Sequence, residues 1–479
     1  MKKDGVKANF IYNLIYNIIN IIVPLITAPY TSRVLGAANI GIYSYTYSII
    51  SSMIMFGSLG TATYGQKETA AVGNNIEKRS QKFWEIWILK TCTVIISFFV
   101  FLCIAIFNDK YTYYYLLQIP YFIAAILDIG FLFQGLEKFR YIAIRNSFVR
   151  IAGIILLFLL VKTEKDLWIY LLIICVSQML GNLSMWPYLK GNILLSKINV
   201  SLKGVFSHLG NVIVYFIPSI AYQIYAVLDK AMLGWLVGSD YENGYYEQAH
   251  KIINMAVGVI TAYTVVMRSR MSYLFARKSY NEIKIKMKES SHVIAFFVFP
   301  MTFGLAGVAA GIVPWFFGNG YDKVISLLYI FCPIFIFMGY SHMIGTHLLT
   351  PSGRQGKSNI AQCAAAVINI ILNAILIPRF YSIGAAIASV LSEVCIGFIY
   401  FYMVRGEFTL KDAAVTGYKN LIASIVMFFA VFGLEQQLKV SIISSIIEVV
   451  VGAVVYITLL LVFKDSFLIS NIKKVLKKF

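Results

Sequence analysis

Residues 10–31, FIYNLIYNIINIIVPLITAPYT, run without a single charged side chain. As an α-helix rising about 1.5 Å per residue they reach about 33 Å, enough to cross a hydrocarbon layer of about 30 Å. The run follows MKKDGVK, but it is too long for the h-region of a secretory signal, about 7–15 residues, and no small-x-small site follows cleanly. It is therefore read as a retained first membrane helix. Similar apolar blocks recur at 41–62, 83–107, 114–135, 142–161, 168–189, 206–228, 245–267, 292–316, 324–350, 360–377, 383–404, 419–437 and 442–463. The chain of 479 residues is thus expected to be an all-α polytopic membrane protein of about fourteen crossings. Composition agrees: 59% hydrophobic, 13% charged and a mean hydropathy of +0.75, against roughly 45–50% and about 25% for a soluble domain. A soluble enzyme is excluded, and little chain remains for an extramembrane domain.

Charge fixes the expected direction. With the N-terminus in the cytoplasm, inner segments hold 31 of the 41 Lys and Arg and outer loops hold 8, with Lys90 and Lys251 inside spans. An error of one span would scramble this asymmetry, so an even number of crossings with both termini inside is expected. The net charge of +19 is then topological. Spread over many inner loops, it gives no reason to invoke nucleic acid. All six cysteines lie within predicted spans without metal-ligand spacing, so neither disulfides nor a metal centre is implied.

Two stretches look duplicated. In SRVLGAANIGIY (32–43), Arg33 leads into Leu35-Gly36 and then Gly41 and Tyr43. In DKAMLGWLVGSDYENGYY (229–246), Asp229-Lys230 leads into Leu233-Gly234 and then Gly244 and Tyr246. The preceding helices match in kind, with Asn13, Asn17, Asn20 and Pro24 in one and Asn211, Tyr215, Pro218 and Gln223 in the other. A six-helix unit keeps its orientation on duplication, so an axis along the membrane normal is expected. The predicted organisation is an N-terminal lobe at 1–203, a second lobe at 204–418, and two further helices with a basic tail at 419–479.

Together with FQGLEKFRYIAIRN (133–146) and NAILIPRFYSIGAAIAS (373–389), these stretches resemble the oligosaccharide flippase family. This is the polysaccharide-transporter branch of the multidrug/oligosaccharidyl-lipid/polysaccharide exporter superfamily. The resemblance runs in order over nearly the whole chain. It implies two six-helix lobes in a V around a central cavity, with two C-terminal helices outside the repeat. It also implies transport of undecaprenyl-pyrophosphate-linked oligosaccharide repeat units across the bacterial cytoplasmic membrane for O-antigen or capsule, in cooperation with a polysaccharide polymerase and an initiating glycosyltransferase. A cation-coupled multidrug exporter and a peptidoglycan lipid-precursor flippase are the alternatives within the superfamily.

Such cargo needs a polar path, because its hydroxyls and pyrophosphate would lose their hydrogen bonds in hydrocarbon. Asn13, Asn17, Asn20 and Pro24 recur at helical steps and form one stripe, and amides both donate to and accept from sugar hydroxyls. Asn211, Tyr215, Pro218, Tyr222 and Asp229 repeat the pattern, while Pro24 and Pro218 are candidate flex points. Arg33, Lys90, Lys230 and Lys251 are candidate contacts for pyrophosphate, since a charge within the membrane costs about 2.5–3.5 kcal/mol on insertion scales. Lys90 and the two interfacial cations also have the option of snorkelling to water. Lys251 has Glu247 four residues before it, and Arg150 has Asp128 on the neighbouring helix as a structural partner. His250 is a titratable neighbour of Lys251, and Glu393 and Glu448 are isolated acids in late helices. Coupling to H⁺ or Na⁺ is left open, and no cofactor is expected. The basic segment from Arg268 to Lys288 suits anionic membrane lipids, although topology alone accounts for it. A membrane glycosyltransferase or polymerase would call for an acidic outer site. Here the longest outer loop offers only the isolated Asp240 and Glu242.

Overall fold

A computed structural model describes residues 6–73, 75–195, 200–465 and 467–470; the side chains of 6–21, 139–141, 143–144 and 217–226 lie outside the description. Every predicted crossing falls in helix. The first two lie in one element, α1 (Val6–Ser58), followed by α2 (Thr61–Val72) and α3 (Ile76–Ile106). The fourth is divided into α4 (Thr112–Leu117), α5 (Pro120–Leu127) and α6 (Gly130–Gly135). Then come α7 (Phe139–Leu160), α8 (Leu167–Leu183), the short α9 (Leu202–Ser207), α10 (Leu209–Val237), α11 (Asp240–Ala276) and α12 (Tyr280–Phe317). The tenth crossing is a pair bent by 43°, α13 (Asp322–Phe331) and α14 (Ile334–Ile344) with its extension to Leu349. The chain closes with α15 (Gln355–Phe380), α16 (Ser382–Met403), α17 (Leu410–Glu435) and α18 (Ile442–Val462). Among the described residues eight helical stretches are long and apolar enough to cross a bilayer, and the bent pair makes a ninth. The stretch Gln355–Met403 holds two predicted crossings, and four more fall in α1, α7 and α10.

Helix α1 changes direction at Gly36, whose dihedrals (φ 76°, ψ 168°) only glycine adopts without strain. Pro24 and Pro29 lie inside the helical stretch before it.

Two compact units result, Met1–Gly244 and Tyr245–Phe479. The boundary lies beyond the 203/204 junction of the sequence repeat because α10 packs on α1 and α2. That packing uses small residues: a Cβ on Gly234 would sit 2.1 Å from the Tyr45 ring, and one on Gly60 2.8 Å from the Phe216 nitrogen. The paired glycines of the duplicated motif also meet. A Cβ on Gly41 would lie 1.7 Å from the Asp240 carbonyl oxygen, and one on Gly244 1.9 Å from that of Ala37. Backbone touches backbone there, the close approach that small residues permit between membrane helices. In the second unit α12 packs against α17 and α18, around Val308, Ala423, Met427, Val431, Tyr456 and Leu460.

The break between α5 and α6 shapes the first unit. Asp128 is extended (φ −71°, ψ 109°), and its Oδ1 accepts from the Gly130 nitrogen at 2.9 Å, closing a local turn in place of the next helical bond. The last carbonyls of α5 then lack helical partners. Side chains supply them: Asn182 Nδ2 donates to Ala124 O (2.7 Å), Trp87 Nε1 to Ile126 O (2.9 Å), Trp186 Nε1 to Leu127 O (3.0 Å) and Lys90 Nζ to Asp128 O (2.6 Å). A buried cation at a helix C-terminus also suits the helix dipole. Lys90, a candidate for cargo, is thus committed to the backbone and buried.

Three outcomes are expected. Gly41→Val should prevent folding, because the clash is with a carbonyl and exceeds the ordinary overpacking cost of about 1–3 kcal/mol. Gly153→Ala, whose Cβ would meet only Ser177 Oγ at 3.8 Å, should give wild-type, monodisperse protein on size exclusion in detergent. Lys90→Met should cost about 1–3 kcal/mol by orphaning the Asp128 carbonyl, read as a lowered thermal unfolding midpoint; an unchanged midpoint would show that the ammonium does not hold the break.

Candidate functional site

The end of α5 faces a cavity of about 510 Å³ within the first unit. Its polar lining comes from Asp128 at the break, Arg145, Asn146 and Arg150 of α7, and Ser177, Gln178 and Asn182 of α8; Val23 and Thr27 of α1 complete one wall. Gly181 lets α7 and α8 close up, since a Cβ there would meet Val149 Cγ2 at 2.7 Å.

Arg145 is held in place. Its Nη1 donates to Asn182 Oδ1 and its Nε to Asn146 Oδ1, both at 2.8 Å, and Nη2 also donates to Asn146. Asn182 spends its own amide N–H on the Ala124 carbonyl, so the broken helix orients the guanidinium through one side chain. Arg150 lines the same cavity as Asp128, which brings together two residues paired from sequence. The cavity therefore offers two planar guanidinium forks, suited to phosphate oxygens, beside amides and a hydroxyl that suit sugar.

Sequence reasoning missed Arg145, Asn146, Asn182, Ser177 and Gln178. Arg145 and Asn146 were visible in FQGLEKFRYIAIRN, but both arginines counted toward the charge of an inner loop. In the structure they lie on α7, with Arg145 two turns in. Val23 and Thr27 extend the helical register of Asn13, Asn17 and Asn20, whose side chains lie outside the described residues, as do those of Pro218 and Tyr222.

Other candidates sit elsewhere. Asn211 lies beside the Tyr64 hydroxyl, and the Tyr215 ring is 5.8 Å from that of Tyr64. Lys67 Nζ donates to the Tyr215 hydroxyl at 2.8 Å, and this bond holds the ammonium above its ordinary pKa. Tyr64 in turn lies 2.7 Å from His208 Nδ1, and His208 Nε2 is 3.0 Å from Glu85 Oε2, both residues buried. This buried pair had no sequence signal, because its members are far apart in the chain. Arg33 is exposed on α1, Lys230 half-buried and Asp229 buried on α10.

The second unit holds the remaining candidates. Glu247 and Lys251 form the i,i+4 pair on α11 at 3.6 Å, and His250 Nδ1 meets Asn254 Nδ2 at 3.0 Å. Buried polar groups also occur on α15 and α16: within α15 Asn373 Nδ2 donates to Asn369 Oδ1 (3.0 Å), Ser389 Oγ of α16 lies 3.0 Å from the Tyr246 hydroxyl of α11, and Ser392 and Glu393 are buried on α16.

Comparison with known proteins accords with this architecture. The family model described as Polysaccharide biosynthesis protein matches residues 6–272. The chain is 23% identical over 410 residues to the "Putative O-antigen transporter" of Escherichia coli (strain K12), covering 85% of this chain and 98% of that one. It is 24% identical over 277 residues to the "Probable low-salt glycan biosynthesis flippase Agl15" of Haloferax volcanii, covering 56% and 58% respectively; in this alignment the chain spans under two thirds of that relative. Among solved structures the fold resembles the lipid II flippase MurJ in an inward closed conformation (TM-score 0.75, 18% identity, 95% of this chain and 98% of that one). It also resembles the MATE multidrug transporter DinF-BH (TM-score 0.53, 15% identity, 86% and 94%). With the family model matched over more than half of its length, the chain, a multi-pass membrane transporter, belongs to the polysaccharide biosynthesis proteins, the polysaccharide flippase family of the multidrug/oligosaccharidyl-lipid/polysaccharide exporter superfamily.

Proposed function

We propose that the chain carries undecaprenyl-pyrophosphate-linked oligosaccharide repeat units from the inner to the outer leaflet of a bacterial cytoplasmic membrane by alternating access, with both termini in the cytoplasm. The observation that carries this reading is the cavity that sets Arg145 and Arg150 among Asn146, Ser177, Gln178 and Asn182. The guanidinium groups take the pyrophosphate and the amides take sugar hydroxyls, while the prenyl chain stays in lipid. The relatives named for O-antigen and glycan transport support cargo of this class. Arg33 and Lys230 serve as further anion contacts on α1 and α10, and Lys251 as one on α11.

Outward movement of a head group with about two negative charges is favoured by an inside-negative potential, by about 2.3 kcal/mol per charge at 100 mV. An ion gradient adds to this through Glu393, a buried acid of α16 whose carboxylate oxygens suit H⁺ or Na⁺. The basic segment between Arg268 and Lys288 rests on anionic lipid, and the inner loops meet the polymerase and the initiating glycosyltransferase of the same assembly line. A second reading has the same pyrophosphate chemistry with a peptidoglycan precursor as cargo, and the likeness in fold to the lipid II flippase favours it.

The test is protein-dependent flipping of a fluorescent lipid-pyrophosphate oligosaccharide in proteoliposomes. Arg145→Ala and Arg150→Ala should each slow it about 10- to 100-fold, the loss expected when about 1.5–3 kcal/mol of charged hydrogen bonding goes. Arg33→Ala, Lys230→Ala and Lys251→Ala should have smaller effects. Wild-type rates in both cavity variants would remove the cavity from the path, and preference for a fluorescent peptidoglycan precursor would move the assignment to the second reading. Glu393→Gln should abolish any response of flipping to an imposed H⁺ or Na⁺ gradient; a retained response would exclude that acid as the coupling site.

A further inference from the structure

Three segments meet at one end of the first unit: the first turn of α3, the link between α6 and α7, and the stretch after α8. This is the cytoplasmic end in the orientation proposed above. Asn192 joins them. It is buried, and its Nδ2 donates to the Tyr188 carbonyl at 2.6 Å. Arg79 Nε of α3 donates to the Asn192 carbonyl oxygen at 2.8 Å, and Lys138 Nζ donates to Asn192 Oδ1. Arg79 Nη1 also donates to Gly73 O at 3.0 Å. Two half-buried cations are thus fixed on one residue. Among the described residues neither has a carboxylate partner, and Arg79 Nη2 has no acceptor. Elsewhere Lys82, Arg270, Lys286 and Arg354 each meet a carboxylate within 3.7 Å. The arrangement is unfavourable as it stands. Burial, and then the Arg79 charge, lower the Lys138 pKa from its ordinary value, and the dipole of α3 disfavours a cation in its first turn.

Tryptophans mark the depth of the pair. Trp84 follows Arg79 by five residues on α3, about 7.5 Å toward the hydrocarbon. Its ring lies 5.5 Å from that of Trp87, which lies 5.4 Å from that of Trp186. Tryptophan gathers where hydrocarbon meets head groups, a polar layer about 5–7 Å deep on each side. Arg79 and Lys138 therefore stand at the level of lipid phosphates.

We propose that Arg79 and Lys138 form a binding site for the phosphate group of an anionic phospholipid. The guanidinium offers Nη2 to one phosphate oxygen and the ammonium its remaining N–H groups to another, as charge-assisted hydrogen bonds. The phosphate supplies the negative charge that the pair lacks. A zwitterionic lipid brings a cation of its own to the two already there and is disfavoured. The site shares no residue with the cavity lined by Arg145 and Arg150, and its test reads lipid binding without flipping.

The full-length protein in dodecyl maltoside is titrated with a fluorescent short-chain phosphatidylglycerol, followed by anisotropy. Saturable binding is expected, weakened about tenfold or more in Arg79→Gln and in Lys138→Gln, and unchanged in Lys203→Gln, which removes an exposed charge from α9 of the same unit. Lys138→Glu sets a carboxylate beside Arg79; it should keep the lipid-free thermal midpoint and abolish binding. Thermal midpoints of all variants report whether they fold. Unchanged affinity in a folded Lys138→Gln or Lys138→Glu overturns the proposal, as does an equal loss in Lys203→Gln, which would make the attraction one of net charge. Two competitions on wild type decide the rest, whatever the variants do. Unlabelled phosphatidylglycerol should displace the probe. Displacement by phosphatidylcholine at the same concentration overturns the site in favour of one for acyl chains, and displacement by inorganic phosphate at that concentration overturns the lipid in favour of soluble phosphate.

Discussion

In hydrocarbon a backbone carbonyl that leaves its helix finds no water, and the first unit is organised around meeting that requirement. The interruption at Asp128 exposes the end of α5, and Asn182, Trp87, Trp186 and Lys90 converge on it from α3, α8 and the turn after α8. Each donor ties another element to the break. Asn182 has a second consequence, because its remaining oxygen accepts from Arg145. The capping of a broken helix thereby fixes a guanidinium at the cavity wall. Discontinuous membrane helices are where transporters place binding groups, and here the link between break and site is a single amide.

That link explains what could be read from the sequence and what could not. Crossings were legible because hydrophobic length is a one-dimensional property, and each apolar block maps onto helix. The duplicated glycines were legible as a motif, although not as the contact in which Gly41 meets Asp240 and Gly244 meets Ala37. The break was hidden inside IPYFIAAILDIGFLFQG, which reads as one continuous span because Ile, Phe and Leu flank it on both sides. Asp-Ile-Gly in that run was the available signal: an acid able to close a local turn, followed by a residue that tolerates it.

Side-chain roles were less legible, since charge alone does not say what it faces. Lys90 looked like a ligand for anions and meets a carbonyl instead. Arg145 counted as one more positive-inside residue and lines a cavity. For Glu247 and Lys251 the i,i+4 spacing sufficed, because both partners lie on one helix. Glu85 and His208 are separated by more than a hundred residues, and their pairing required the fold.

The buried acids follow from the same physics with different endings. Glu85 has His208 on one oxygen and Gln81 on the other, at 2.9 Å, so its burial is compensated within the protein. Glu393 is likewise buried, on α16. Glu448 has Gly311 in place of a donor and an apolar cavity at its side. A carboxylate kept in that position costs stability, as any incompletely paired buried group does. The cavity of the first unit differs, since it presents positive charge beside amides.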